Sequence, residues 1–119
     1  MKAWITQLRK GLVEFCVLTV LSDKETYGYD LVRRLQGLEE LAITESTVYL
    51  VIARLRRDGY VKARREDSAI GPARRYLSLT RLGELHRKQM DAYWKELCAA
   101  VNLLRAESSG EVQSDEGRG

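Results

Sequence analysis

Eight basic side chains fall between residues 54 and 75: Arg54, Arg56, Arg57, Lys62, Arg64, Arg65, Arg74 and Arg75, against only Asp58, Glu66 and Asp67. A guanidinium presents a planar fork of N–H donors that matches phosphate and carboxylate oxygens, and a local excess of such groups builds a potential that attracts polyanions. A merely solvated face would mix the signs more evenly, so the cluster points to a polyanionic partner, nucleic acid foremost. The overall net charge of +3 understates this excess, because residues 106–119 hold four acids and one arginine.

Other chemistries find less support. His86, the only histidine, stands beside Arg87 and Lys88 with no serine or cysteine placed by local sequence to act with it, and reads as solvent-exposed. Glu39, Glu40, Glu66 and Asp67 are scattered, with no metal-ligand spacing and no glycine-rich phosphate loop. The expectation is therefore no enzyme, no cofactor and no metal. Cys16 and Cys98 lie in apolar helical patterns without a CxxC spacing, as buried reduced thiols would. No apolar run is long enough to cross a bilayer. The apolar stretch from Leu12 to Leu21 contains Glu14 and lacks a small-residue cleavage site, so a cytoplasmic location is expected.

The elements that must position the arginines follow from periodicity. From Trp4 to Leu21 the apolar residues keep helical spacing and "VEFCVLTVL" is apolar nearly all round, which predicts a largely buried first helix. Thr26 is a candidate N-cap for a second helix, "YGYDLVRRLQGL", with Leu31, Val32, Leu35 and Leu38 inward and Gly37 near its end. Thr44 caps a third helix that Asp58-Gly59 stops. "YVKARR" and "RRYLSL" alternate as two strands around "EDSAIGPA", a hairpin whose turn holds Gly71 and Pro72. Thr80 caps a long fourth helix in which Met90, Trp94, Leu97, Val101 and Leu104 form a coiled-coil-like seam. The remainder is acidic, with almost nothing apolar, and reads as disordered.

Three helices, a hairpin and a last helix are the order of a winged helix-turn-helix, mainly α with a small β-hairpin, extended by a long C-terminal dimerisation helix. The predicted domains are 1–79 for the winged helix-turn-helix, 80–105 for the last helix and 106–119 for the tail. On the third helix Val48, Val51, Ile52 and Leu55 share the core face. The opposite face presents Ser46, Leu50, Ala53 and Arg57, flanked by Thr47, Tyr49 and Arg54, a set of small and polar groups with arginines that suits a DNA major groove.

"LRKGLVEFCVLTVLSDKETYGYDLVRRL", "STVYLVIARLRRDGYV" and "GPARRYLSLTRLGE" together resemble the PadR family of transcriptional regulators over roughly residues 8 to 105, in its small subgroup with one C-terminal helix. The resemblance implies a homodimer, usually a repressor, whose last helix packs against the partner's first; Leu8, Leu12 and Phe15 would then join the seam at the dimer interface. It places Tyr49 at the family's recognition-helix tyrosine, Ser46 and Thr47 at its N-terminal contacts, Arg74 and Arg75 in a basic wing, and Thr26 to Tyr29 at the start of the second helix, where free N–H groups and the helix dipole can hold a phosphate. The wing departs from the family pattern in Arg75-Tyr76-Leu77 and in Ala73, where another basic residue is common. Trp94, beside Tyr93, has two readings: an interface anchor, or a platform like the tryptophan on which some small PadR proteins stack flat aromatic ligands. The function so implied is a dimeric repressor on a palindromic operator, released by a small planar aromatic or phenolic effector. The rival reading is a winged-helix module that binds an acidic protein without specific DNA recognition.

Overall fold

The computed structural model describes residues 2–67, 71 and 74–110. The elements run α1 (Lys2–Asp23), β1 (Thr26–Tyr27), α2 (Gly28–Gln36), a 3-10 turn (Glu39–Leu41), α3 (Glu45–Arg57), β2 (Val61–Glu66), β3 (Arg74–Leu79) and α4 (Arg81–Ser109). Packing divides the chain into one unit of residues 1–87 and a second of residues 88–119. No described helix is long and apolar enough to cross a membrane.

The first unit is a winged helix-turn-helix. Its core joins Val13, Val17, Leu18 and Leu21 of α1, Leu31, Val32 and Leu35 of α2, Val48, Val51, Ile52 and Leu55 of α3, and Val61 and Leu77 of the sheet. All four α3 residues expected inside are there. Leu38 is not: it follows Gly37, which caps α2, and is exposed just before the 3-10 turn. The burial expected along all of α1 is confined to its C-terminal half, since Leu8 is 52% exposed and Phe15 and Cys16 only half-buried. Apolar spacing marks a face that something covers, and the core described here reaches only as far as Val13. Both thiols are free and half-buried rather than fully buried, and burial pushes the Cys16 thiol up from its ordinary pKa.

The sheet has three antiparallel strands in the order β1-β3-β2, not the two of a hairpin. Thr26 and Tyr27 pair with Leu77 and Tyr76, a two-residue bridge too short to leave a period-2 signal. Thr26 therefore does not cap α2. Its hydroxyl donates to the Lys24 carbonyl (2.9 Å), and Tyr27, in extended geometry, holds the N-cap position without a side-chain bond. In the β2–β3 ladder Val61 opposes Leu79 and Glu66 opposes Arg74. At the turn, Gly71 has φ +90°, a left-handed conformation that suits glycine, while Pro72 and Ala73 lie outside the described residues.

Thr44 caps α3 by accepting the Thr47 N–H (3.2 Å), and Gly59, at φ +84°, turns the chain out after Asp58. The join between the wing and α4 is tighter. The Thr80 hydroxyl donates to the Gly59 carbonyl (2.6 Å) and accepts the Gly83 N–H (3.0 Å), and the Thr80 N–H donates to the Tyr60 carbonyl (3.0 Å). Gly83 lies so close to that carbonyl that a Cβ at its position would collide with backbone. In the second unit α4 continues to Ser109, so the first residues of the expected tail, Ala106 to Ser109, are helical; residues 111–119 lie outside the described set.

Gly83→Ala is expected to destabilise the protein by about 2–3 kcal/mol, because backbone rather than a flexible side chain must yield. Thr80→Ala should cost about 1 kcal/mol as a lost cap, with Thr80→Ser recovering most of it. Urea-unfolding midpoints of the three variants check both.

Candidate nucleic-acid interface

The core face of α3 fixes what its other faces present. Leu50, 71% exposed, and the exposed Ser46, Ala53 and Arg57 point away from the core. On one flank Tyr49, Ala53 and Arg56 meet the start of α2 and strand β3. Together with Tyr27, Tyr29 and Arg75 they line a concavity of about 510 Å³ floored by Gly28, Ile52 and Leu77. On the other flank Arg54 turns toward α1 and donates to Glu14 (3.4 Å). The first turn of α3 carries a hydroxyl cluster, since the Thr44 hydroxyl lies 2.8 Å from that of Thr47 and 3.3 Å from that of Ser46.

Aromatic rings organise the concavity. Tyr27 packs between Tyr29 (6.2 Å between centroids) and Tyr76 (5.7 Å), the Arg74 guanidinium lies 5.1 Å above the Tyr27 ring, and Arg33 donates to the Tyr29 hydroxyl (3.1 Å). The short strand β1 sets this up by placing Tyr27 beside β3. Partial burial pushes the Tyr49 hydroxyl up from its ordinary pKa, with the Glu45 carboxylate adding to the effect, so the group stays a neutral donor at physiological pH.

The arginines separate into two populations. Arg64 forks onto Glu25 (3.1 and 2.9 Å), reaches Glu66 (3.3 Å) and lies over the Tyr76 ring (4.9 Å), so it braces the wing against the segment before β1. Arg57 pairs with Asp58 (3.3 Å), Arg54 with Glu14, and Arg65 reaches Asp67 at 3.8 Å. Among the described residues of this basic run Arg56, Lys62, Arg74 and Arg75 make no ion pair. Their charges are the ones left for an outside anion. Sequence reasoning assigned Arg74 and Arg75 to the wing, but counted Arg56 only in the basic run and Tyr27 only within the start of the second helix, with no groove between them. Arg56 stands one turn beyond Ile52, and only the position of α2 shows that this flank opens into a groove.

His86 is not the exposed side chain that its polar neighbours suggested. It packs flat on the Tyr60 ring (4.2 Å, 8° between planes) and donates from Nε2 to Glu14 (3.1 Å). In the second unit Trp94, Leu97, Val101 and Leu104 are 38% to 63% exposed, and Met90 is half-buried. The expected seam is thus an apolar stripe open along α4, with Tyr93 also exposed next to it. No group of histidine, cysteine and acidic residues able to hold a metal occurs among the described residues.

A core helix with a free, partly basic face, a capped N-terminus and a basic wing is the arrangement of a helix-turn-helix regulator. The transcriptional regulator PadR-like family model matches residues 17–89, more than half of the chain. The chain belongs to the PadR-like family of transcriptional regulators. Solved structures of transcriptional regulators agree with it. A Streptococcus transcriptional regulator is 32% identical, with 83% of this chain and 97% of that one covered at a TM-score of 0.74. A PadR-like transcription factor from Bacteroides fragilis is 33% identical, covering 83% and 95% at 0.71, and a PadR-like regulator from Bacillus cereus is 28% identical, covering 82% and 95% at 0.73. No protein with a curated description matches significantly.

The PadR wing brace carries a pH signature. The hydrogen bond and charge of Arg64 hold the Glu25 carboxyl below its ordinary value of 4.5. The unfolded chain therefore binds this proton more readily, and the stabilisation from Glu25 is complete above that ordinary value and lost as pH falls through the lowered one. Glu25→Gln should be less stable than wild type at neutral pH, with the difference closing below about pH 4 in thermal unfolding across an acid pH series.

Proposed function

We propose that this PadR-family protein is a homodimeric, cytoplasmic repressor that binds a palindromic operator. The observation that carries the reading is the free face of α3, where uncharged Ser46, Leu50 and Ala53 lie between basic flanks and beside the unpaired wing arginines. Small uncharged side chains let a helix approach base edges closely, and the surrounding cations hold phosphates on either side. Ser46, Thr47, Tyr49, Leu50 and Ala53 read the major groove. Arg54, Arg56, Arg57, Arg74 and Arg75 serve the backbone, with Tyr29 at the start of α2. Half-sites are spaced by about 10 bp or a multiple of it.

The dimer forms through the open stripe of Met90, Trp94, Leu97, Val101 and Leu104 together with Leu8, Leu12 and Phe15 of the other chain's α1. Residue types in the stripe favour it, since aromatic and aliphatic anchors dominate such interfaces. A flat aromatic or phenolic effector stacks on Trp94 and Tyr93 near the dimer axis. It shifts the separation or tilt of the two α3 helices and lowers operator affinity.

Four measurements test this. Affinity for the duplex upstream of its own gene should fall steeply with salt and exceed that for random DNA, whereas a flat, weak response would favour an acidic protein partner. Arg74→Ala with Arg75→Ala should weaken binding to all sequences and reduce the salt slope by about 0.9 for each phosphate lost, while changes at Tyr49 or Ala53 should alter sequence preference. Val101→Asp with Leu104→Asp should give a monomer by sedimentation. Planar aromatic compounds should quench Trp94 and release the DNA; failure of every bound compound to change operator affinity would remove the effector from the mechanism.

A further inference from the structure

Glu14 lies on α1, outside every group of residues assigned above, yet its carboxylate joins two other elements. One oxygen accepts from Arg54 of α3 at 3.4 Å, and the other accepts from His86 of α4 at 3.1 Å. The His86 ring is held flat by Tyr60, so one carboxylate oxygen is fixed and the second is left facing the recognition helix. The two ends of this relay differ in how tightly they are held. The side chains of Glu14 and His86 are 24% and 26% exposed, whereas Arg54 is 48% exposed. Arg54 also engages the carboxylate through a single nitrogen at the long end of hydrogen-bond range, which leaves most of its donors unused. A guanidinium held in this way can exchange one anion for another without disturbing the core.

We propose that Glu14 is a residue that limits operator affinity in the DNA-binding reading above, on which this inference rests. In the free protein it keeps Arg54 in an internal ion pair. Arg54 then joins DNA only where a phosphate is placed well enough to displace the carboxylate. A correct operator meets that condition because readout by Ser46, Tyr49 and Ala53 seats α3 in one register. Random DNA presents phosphates in many poorer placements and does not meet it. The operator complex therefore leaves the carboxylate uncompensated beside phosphate, an unfavourable state that the random complex avoids by keeping the pair, so Glu14 lowers operator affinity and narrows its margin over random DNA. His86 is a positioning residue that acts through Glu14.

The test compares full-length wild type, Glu14→Gln, Arg54→Gln, the double variant and His86→Phe, each titrated by fluorescence anisotropy against the duplex upstream of its own gene and a random duplex of equal length, across a salt series. Glu14→Gln should tighten the upstream duplex about two- to fivefold, the range of an exposed ion pair. It should tighten the random duplex by less while steepening its salt dependence, so the ratio of affinities widens. The gain should vanish when Arg54→Gln is added. His86→Phe, which keeps a ring on Tyr60 but has no donor for Glu14, should move the ratio in the same direction by a smaller factor. An unchanged ratio in Glu14→Gln, a gain that persists without Arg54, or weaker binding to both duplexes at an unaltered unfolding temperature would each overturn the proposal. Loss of preference for the upstream duplex in wild type itself would instead overturn the DNA-binding reading.

Discussion

The contact on which the rest of the PadR unit depends is the approach of Gly83 to the Tyr60 carbonyl. Around it, Thr80 ties three chain segments together with one residue. Its hydroxyl donates to the end of the α3 turn at Gly59 and accepts from the first turn of α4, and its N–H donates to the start of the wing at Tyr60. No side chain fits between the two backbones, so the glycine is required by close approach rather than by an unusual dihedral angle. The sequence Leu-Thr-x-x-Gly that opens the last helix thus has a physical reason. It ties the first turn of α4 to the exit of α3, and it places His86 one turn further on, where its ring covers Tyr60.

Electrostatics in this unit is organised by subtraction. A basic run of eight residues looks uniform in sequence, but folding brings acids from distant segments onto part of it. Glu25 neutralises Arg64 across the sheet, and Glu14 reaches Arg54 from α1. Partly exposed pairs of this sort add little stability, so their main effect is on which cations remain available. Those are Arg56, Lys62, Arg74 and Arg75; Arg56 and Arg75 line a concavity with Tyr27, Tyr29 and Tyr49, and Arg74 lies over the Tyr27 ring. A field focused in this way differs from the diffuse one that net charge alone would give.

The two-residue strand β1 has an effect out of proportion to its length. By pairing with Leu77 and Tyr76 it brings the N-terminus of α2 against the wing and stands Tyr27 under Arg74. The start of α2, the flank of α3 and the wing therefore share one surface. The candidate site belongs to the sheet as much as to the recognition helix.

Local periodicity and capping chemistry determined much of this protein without help from the structure. The faces of α3, the Thr44 and Thr80 caps, the two long strands and the apolar stripe of α4 all follow from spacing and residue type, because each is a property of neighbours a few positions apart. Tertiary structure alone decided the rest. That Thr26 belongs to a strand, that His86 is stacked and bonded, that Arg56 faces a groove and that Glu14 holds Arg54 all depend on partners distant along the chain, 72 residues for Glu14 and His86 and 40 for Glu14 and Arg54. The physical reason is that hydrogen bonds and ion pairs act over a few ångströms of space. A sequence orders residues along the chain, and only packing determines which distant ones come within that range.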